Sequence, residues 1–252
     1  MPARFDRSPT AILMILHWFV IPFYCLLICC FCGCNDAKQS VSPAEKVISF
    51  RQQALAIQTA GGGHLEVDFK IDDQQLDVLQ ETPSVKTLIC DAGELTDAAI
   101  RFIGVLPKLQ HLRLRLSPIS DVGMQELAKC KTLWFLNLPH SDCTADGIAA
   151  LAELPELRSI RIGSDRLEAD AADAIALLKT VSSVHLIGVP INDEGLKRIA
   201  SLPELESLYL DDSKVTEDGW QWLFDQHPTL HVHVNQQHHD RDSNQHSHGS
   251  TK

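Results

Sequence analysis

Apolar positions recur every 24 residues along most of the chain. Seven consecutive units open at Ile71, Leu95, Ile119, Cys143, Leu167, Ile191 and Val215. The ninth, eighteenth and twentieth positions of every unit are apolar, and the eighteenth position holds Leu88, Leu112, Leu136, Ile160, Val184, Leu208 and Val232. Apolar residues two apart are typical of a short strand with one buried face, whereas the segment around the ninth position has helical spacing. Each unit therefore predicts a short helix followed by a short strand.

Two further positions of the unit support this assignment. N-cap residues stand at the second position of five units, at Thr96, Ser120, Thr144, Asn192 and Thr216. Small residues stand at the fifth position of six units, at Ala99, Gly123, Gly147, Ala171, Gly195 and Gly219. Because glycine destabilises an isolated helix, a small residue at this position indicates close packing against the neighbouring unit.

A single unit cannot bury its aliphatic edge, so neighbouring units have to stack. Stacked strands lie about 4.8 Å apart, whereas helix axes need about 8–10 Å. This mismatch predicts a curved stack with a parallel sheet on the concave side and short helices on the convex side. The predicted fold is an α/β solenoid whose seven repeats span residues 71–234.

The repeat unit resembles that of the leucine-rich repeat proteins, in particular the bacterial type with 24 residues. The segment INDEGLKRIASLPELESLYLDDSK, residues 191–214, carries the resemblance most clearly. The resemblance implies a solenoid that serves as a binding surface, with partners that differ from protein to protein. We therefore expect the concave sheet to bind a partner.

The segments that flank the repeats are predicted to be a cap and a tail. Residues 42–70 contain the capping box Ser42-Pro43-Ala44-Glu45, a helix that ends at Gly61, and a first strand one residue out of register. In that strand Leu65, Val67 and Phe69 alternate with polar residues. Residues 235–252 contain no apolar residue and are predicted to be a disordered, histidine-rich tail.

The N-terminal segment, residues 1–33, is predicted to be a signal peptide or a signal anchor. An apolar run from Ala11 to Cys32 follows Arg4 and Arg7. The sequence Phe31-Cys32-Gly33-Cys34 resembles the lipobox of bacterial lipoproteins, which implies lipidation of Cys34 after cleavage. The alternative is an uncleaved anchor, since about 20 apolar residues can span a bilayer. Either way, residues 34–41 form a tether, and we expect the protein in the cell envelope, membrane-anchored and facing out of the cytoplasm.

The net charge indicates which partners the chain can bind, and the number of cysteines indicates the state of its thiols. Lys+Arg 22 against Asp+Glu 33 gives a net charge of −11, which makes nucleic acid an unsuitable partner. After Cys34 the chain contains only Cys90, Cys130 and Cys143, all at apolar positions of the repeat. An odd number cannot form a closed disulfide framework, so we interpret these cysteines as buried structural thiols.

The candidate binding residues are strand residues that point away from the core, at the seventeenth, nineteenth and twenty-first positions of the unit. Arginine and aromatic residues, which dominate binding hot spots, are frequent there although the chain is acidic. We predict contact with a protein or a cell-surface polymer through His111, Arg113, Arg115, Phe135, Asn137, Arg161, His185, Tyr209 and Asp211.

An alternative function is metal binding through the histidine-rich C-terminal tail. Seven of the twelve histidines lie after residue 226, and His231 and His233 share a strand face. No spacing defines a tetrahedral site, so the sequence assigns no residue to a metal and implies no cofactor. The chain also lacks a nucleophile motif, a glycine-rich phosphate loop and a zinc-protease signature, and we expect no enzyme activity.

Overall fold

A computed structural model describes residues 43–242 of the chain. The helices are α1 (Pro43–Ala60), α2 (Asp97–Ile103), α3 (Asp121–Leu127), α4 (Ala145–Ala150), α5 (Ala171–Ile175), α6 (Asp193–Ala200) and α7 (Glu217–Gln226). The strands are β1 (His64–Val67), β2 (Thr87–Cys90), β3 (His111–Leu114), β4 (Phe135–Leu138), β5 (Ser159–Gly163), β6 (Ser183–Ile187), β7 (Ser207–Asp211), β8 (His231–Val234) and β9 (Gln237–His238). Two 3-10 helices, Asp73–Glu81 and Leu151–Glu153, complete the described elements.

The strands form a single sheet in chain order, from β1 to β9. Strands β1 to β8 are parallel, and β9 is antiparallel to β8. Every pairing from β2 to β8 joins residues 24 apart, as in Leu112 with Leu136, whereas Leu65 pairs with Leu88 at a separation of 23. The period and the shifted first strand are confirmed. A parallel sheet with one short helical segment per unit is the architecture of a leucine-rich repeat solenoid.

The aliphatic positions of the repeat form one continuous core. At the eighteenth position all seven residues are at most 1% exposed, and at the ninth position the same holds from Leu79 to Leu223. Cys90, Cys130 and Cys143 are buried in the same core as free thiols. Burial raises the pKa of Cys90 to about 12 and that of Cys130 to about 11, so these thiols stay protonated and inert.

Consecutive repeats are joined by an aspartate at the third position of the unit. The side chain of Asp121, at the start of α3, accepts hydrogen bonds from the Thr144 backbone amide at 2.7 Å and from its hydroxyl at 2.8 Å. The same pair of bonds joins Asp73 to Thr96, Asp97 to Ser120 and Asp193 to Thr216. The hydroxyl of Thr144 in turn caps α4, so one carboxylate orders the start of the next helix.

This ladder of aspartates explains the small residues at the fifth position. A Cβ atom on Gly147 would overlap Oδ1 of Asp121, and one on Gly219 would overlap Oδ1 of Asp193. The prediction of close packing between neighbouring units is therefore confirmed, and the atom that needs the space is the capping carboxylate.

At the N-terminal side of the sheet, α1 packs Phe50 and Ala54 into the core. It ends at Ala60, where Gly61 adopts a φ of 69° that suits glycine. The predicted signal segment, the capping serine Ser42 and the candidate lipidation site Cys34 lie outside the described residues. No helix among residues 43–242 combines the length and the apolar character needed to cross a membrane.

The start of the C-terminal tail is ordered, which corrects the expectation of disorder for residues 235–242. Asn235 and Gln236, both with positive φ, form a two-residue turn that pairs β9 with β8. The ring of His239 lies 5.0 Å from that of Trp220 and 4.8 Å from that of Phe224. The ring of His239 therefore packs against the last repeat in place of an aliphatic side chain.

Candidate binding face on the sheet

One face of the sheet is turned away from the aliphatic core and carries the seventeenth, nineteenth and twenty-first positions of the repeat. We call it the open face. The strand register includes eight of the nine predicted binding residues, and the ninth, Arg115, follows directly after β3. At the nineteenth position Arg113 pairs with Asn137, and Asn137 pairs with Arg161. Because neighbouring strands lie about 4.8 Å apart, the two arginines stand about 10 Å from each other.

A pocket of about 300 Å³ opens on this face. We call it the arginine pocket, and its lining residues are Arg113, Arg115, Asn137, Pro139, His140, Arg161 and Ile187. Three arginines thus line one pocket in a chain that is acidic as a whole. A pocket of this composition suits an anionic group, since guanidinium binds carboxylate in a planar, bidentate arrangement.

The three arginines of the pocket differ in their partners. Arg113 forms an ion pair with Asp91 on β2, and both side chains are partly buried. Among residues 43–242, neither Arg115 nor Arg161 forms an ion pair. Nε of Arg161 is buried and has no hydrogen-bond acceptor within that part of the chain. A buried donor without an acceptor costs about 1–3 kcal/mol, so Arg161 is the group that gains most from an anionic ligand.

Asn137 departs from the expectation of an exposed side chain. It lies on the open face, but only 6% of its surface is exposed, because the long side chains of Arg113 and Arg161 flank it in the same row. Its Oδ1 is buried without a donor among the described residues. Asn137 therefore forms the floor of the pocket, where a ligand could satisfy it with a hydroxyl or an amide.

Asp211 is the second departure, since only 7% of its surface is exposed. Its Oδ2 lies 2.9 Å from Nε2 of His185, and its Oδ1 accepts a hydrogen bond from the Gln236 amide at 3.1 Å. Desolvation lowers the pKa of His185, and the charge of Arg161 lowers it further, while the hydrogen bond to Asp211 opposes the shift. Asp211 thus orients a histidine on the open face, and both of its carboxylate oxygens already have partners within the chain.

Aromatic rings flank the arginine pocket on both sides. On one side the ring centroid of Phe135 lies 4.2 Å from that of His111 and 5.7 Å from that of Trp134. On the other side Tyr209 stacks on His185 at 5.3 Å. Trp134 is 43% exposed and was not predicted as a binding residue, because it stands one position before the outward-facing strand residues of its repeat.

The open face ends in a group of three histidines. Tyr209 pairs with His233 on β8, and the hairpin places His238 of β9 directly opposite His233. Together with His231 they form what we call the histidine cluster, in which the candidate ligand atoms all lie within 4.8 Å of one another. The sequence assigned no residue to a metal site, because it did not reveal the turn that brings His238 back to the sheet.

Comparisons with known proteins do not assign the chain to a family. No protein-family model and no curated protein matches the chain. Among solved structures, internalin C2 from Listeria monocytogenes is similar, with 16% sequence identity and a TM-score of 0.45. The similarity covers 75% of this chain and 92% of the internalin chain. The assignment of the fold rests on the strand register and the buried positions of the repeat.

Proposed function

We propose that the chain is a binding module of the cell envelope that captures a protein or a surface polymer on the open face. The observation that carries the proposal is the arginine pocket, in which Nε of Arg161 and Oδ1 of Asn137 are buried without partners among residues 43–242. Such atoms are uncommon in native structures, and a bound ligand or an ordered water supplies the missing bonds.

The charge distribution supports an anionic group on the partner. The whole chain has a net charge of −11, so its overall field repels an acidic partner. A site where arginines are concentrated is therefore the favourable place for such a partner to bind. A carboxylate fits the donors of Arg161 and Arg115, and a neighbouring hydroxyl or amide fits the acceptor of Asn137. Acidic protein segments and uronic-acid polymers both carry this combination of groups.

The aromatic residues supply the remaining contact area of the proposed interface. Phe135 and Trp134 lie on one side of the pocket, and Tyr209 lies on the other side. Charged groups at the centre with aromatic residues around them allow a partner to be oriented by its carboxylates and held by apolar burial.

Capture of the partner from native envelope extracts tests this proposal when it is done over a range of salt concentrations. Raising the salt from about 0.1 M to about 1 M shortens the Debye length from about 10 Å to about 3 Å. Because Arg115 is exposed, we expect capture by the full chain to fall at least about tenfold over this range. A captured species that is retained equally at both salt concentrations would contradict an anionic contact.

The proposed tether is tested by replacing Cys34. If Cys34 carries the lipid, Cys34→Ala blocks processing, and a full-length species accumulates. Cys32→Ala is the matched control, because it places a small residue where the lipobox usually has one, and processing continues. Immunoblots and mass spectrometry of the membrane fraction measure both outcomes. An unchanged mature mass and membrane fraction in Cys34→Ala would exclude lipidation at this residue.

A further inference from the structure

The histidine cluster at the C-terminal end of the sheet has the arrangement of a metal site. His231 and His233 stand at the seventeenth and nineteenth positions of the last repeat, and the turn after Val234 brings His238 opposite His233. Nε2 of His231 and Nε2 of His233 lie 3.0 Å apart. The ring centroid of His238 lies 4.0 Å from that of His233 and 5.0 Å from that of His231.

A buried carboxylate lies beside the histidine cluster and orients its rings. The side chain of Asp242 is fully buried, and its Oδ2 accepts a hydrogen bond from the Val232 amide at 3.0 Å. The same oxygen lies 2.9 Å from Nδ1 of His231 and 3.7 Å from Nδ1 of His238. A carboxylate at Nδ1 favours the tautomer with hydrogen on that nitrogen, so the Nε2 lone pair of His231 accepts the hydrogen bond from Nε2 of His233, and a metal ion would take the place of that hydrogen.

The distances fit a small transition-metal ion. Zinc binds imidazole nitrogen at about 2.0–2.1 Å in a tetrahedral arrangement, which places two ligand nitrogens about 3.3 Å apart. The Nε2 atoms of His231 and His233 are within a few tenths of an ångström of that separation. No two ligand atoms of the cluster are more than 4.8 Å apart. Rotation of a histidine side chain can shorten such a separation to the distance that zinc requires.

We propose that His231, His233 and His238 bind one divalent transition-metal ion, of which Zn²⁺ is the best match, with Asp242 as the carboxylate that positions His231. Three neutral imidazoles suit zinc, copper and nickel, whereas magnesium and calcium prefer oxygen ligands. The fourth coordination position is left for water or for a donor from outside the cluster. This inference is independent of the arginine pocket.

The expected consequence is that the metal ion fastens the C-terminal hairpin to the sheet. Strand β9 has only two residues, and the metal would join it through His238 to two ligands on β8. A ligand that binds only the folded protein stabilises it. We therefore expect Zn²⁺ to raise the melting temperature of the chain, and we expect Mg²⁺ at the same concentration to leave it unchanged.

Calorimetric titration of the full chain with ZnCl₂ tests the proposal. In the double variant His233→Gln with His238→Gln, which keeps polar side chains in the hairpin, one equivalent of bound zinc should be lost together with the rise in melting temperature. Asp242→Asn should weaken the same equivalent by about 10–100-fold, because it removes the orienting carboxylate. The cysteines of residues 25–34 are potential zinc ligands and are present in every variant. The proposal is therefore tested by the difference of one zinc equivalent between the unmodified chain and the variant.

A second double variant separates the histidine cluster from the histidines that follow it. His246→Ala with His248→Ala leaves the cluster intact and should retain the equivalent. Circular dichroism shows whether each variant is folded. The assignment would be overturned if the folded glutamine variant still bound the same number of zinc equivalents as the unmodified chain. It would also be overturned if the variant at His246 and His248 lost one zinc equivalent.

Discussion

Leu136→Ala is expected to lower the free energy of unfolding by about 2–5 kcal/mol. Leu136 is fully buried in the interior strand β4, where it pairs with Leu112 on one side and Ile160 on the other. Truncation removes buried apolar surface and leaves a cavity that neighbours in a stacked core cannot fill without shifting. Urea denaturation followed by far-UV circular dichroism measures the difference between the variant and the unmodified chain.

Leu177→Ala is the matched control for this prediction. It makes the same chemical change at a side chain that is 51% exposed, so we expect a loss below about 0.5 kcal/mol. A similar loss of stability at Leu136 and Leu177 would show that the buried positions of the repeat have been assigned to the wrong face.

The regular part of the fold could be predicted from the sequence because it depends on a few chemically simple positions. An aliphatic residue at positions such as Leu112 and Leu136 has one favourable environment, the core, and the period of 24 fixes the register. The N-caps were predictable because they are local: the hydroxyl of Thr144 accepts a hydrogen bond from a backbone amide two residues away.

Contacts between neighbouring repeats were harder to foresee, because they depend on where a side chain extends. Asp121 stands at the start of its own helix, yet its carboxylate binds Thr144 of the following repeat. Asn137 and Asp211 point towards the open face as predicted, but the neighbouring side chains bury them. Alternation along a strand predicts the direction of a side chain and does not predict its exposure.

The C-terminal hairpin was missed because its stabilising groups are not aliphatic. The turn at Asn235 and Gln236 lacks the glycine that usually marks such a hairpin. Its order depends on the buried Asp242, whose carboxylate accepts the Val232 amide hydrogen, and on the ring of His239 against Trp220. A segment of histidine, aspartate and glutamine can therefore be ordered when a preceding strand offers it polar and aromatic partners.

Reversing two charges of the arginine pocket is expected to abolish partner capture. In Arg115→Glu with Arg161→Glu, the two arginines without an ion pair among residues 43–242 are replaced, while the pair between Arg113 and Asp91 stays intact. Loss of a desolvated charge contact typically costs about 2–5 kcal/mol of binding free energy, or about 30-fold to several thousand-fold in Kd. Neither side chain belongs to the aliphatic core, so we expect the melting temperature to change by less than about 4 °C.

The measurement that tests the binding face most directly compares three full-length baits in one capture experiment from native envelope. The baits are the unmodified chain, the double reversal in the arginine pocket, and Arg101→Glu with Lys179→Glu, which reverses two exposed charges on the helical side. We predict that the unmodified chain and the helical-side variant capture the same species, and that the pocket variant loses it. Capture that survives in the pocket variant and disappears in the helical-side variant would contradict the assignment of the open face as the binding surface.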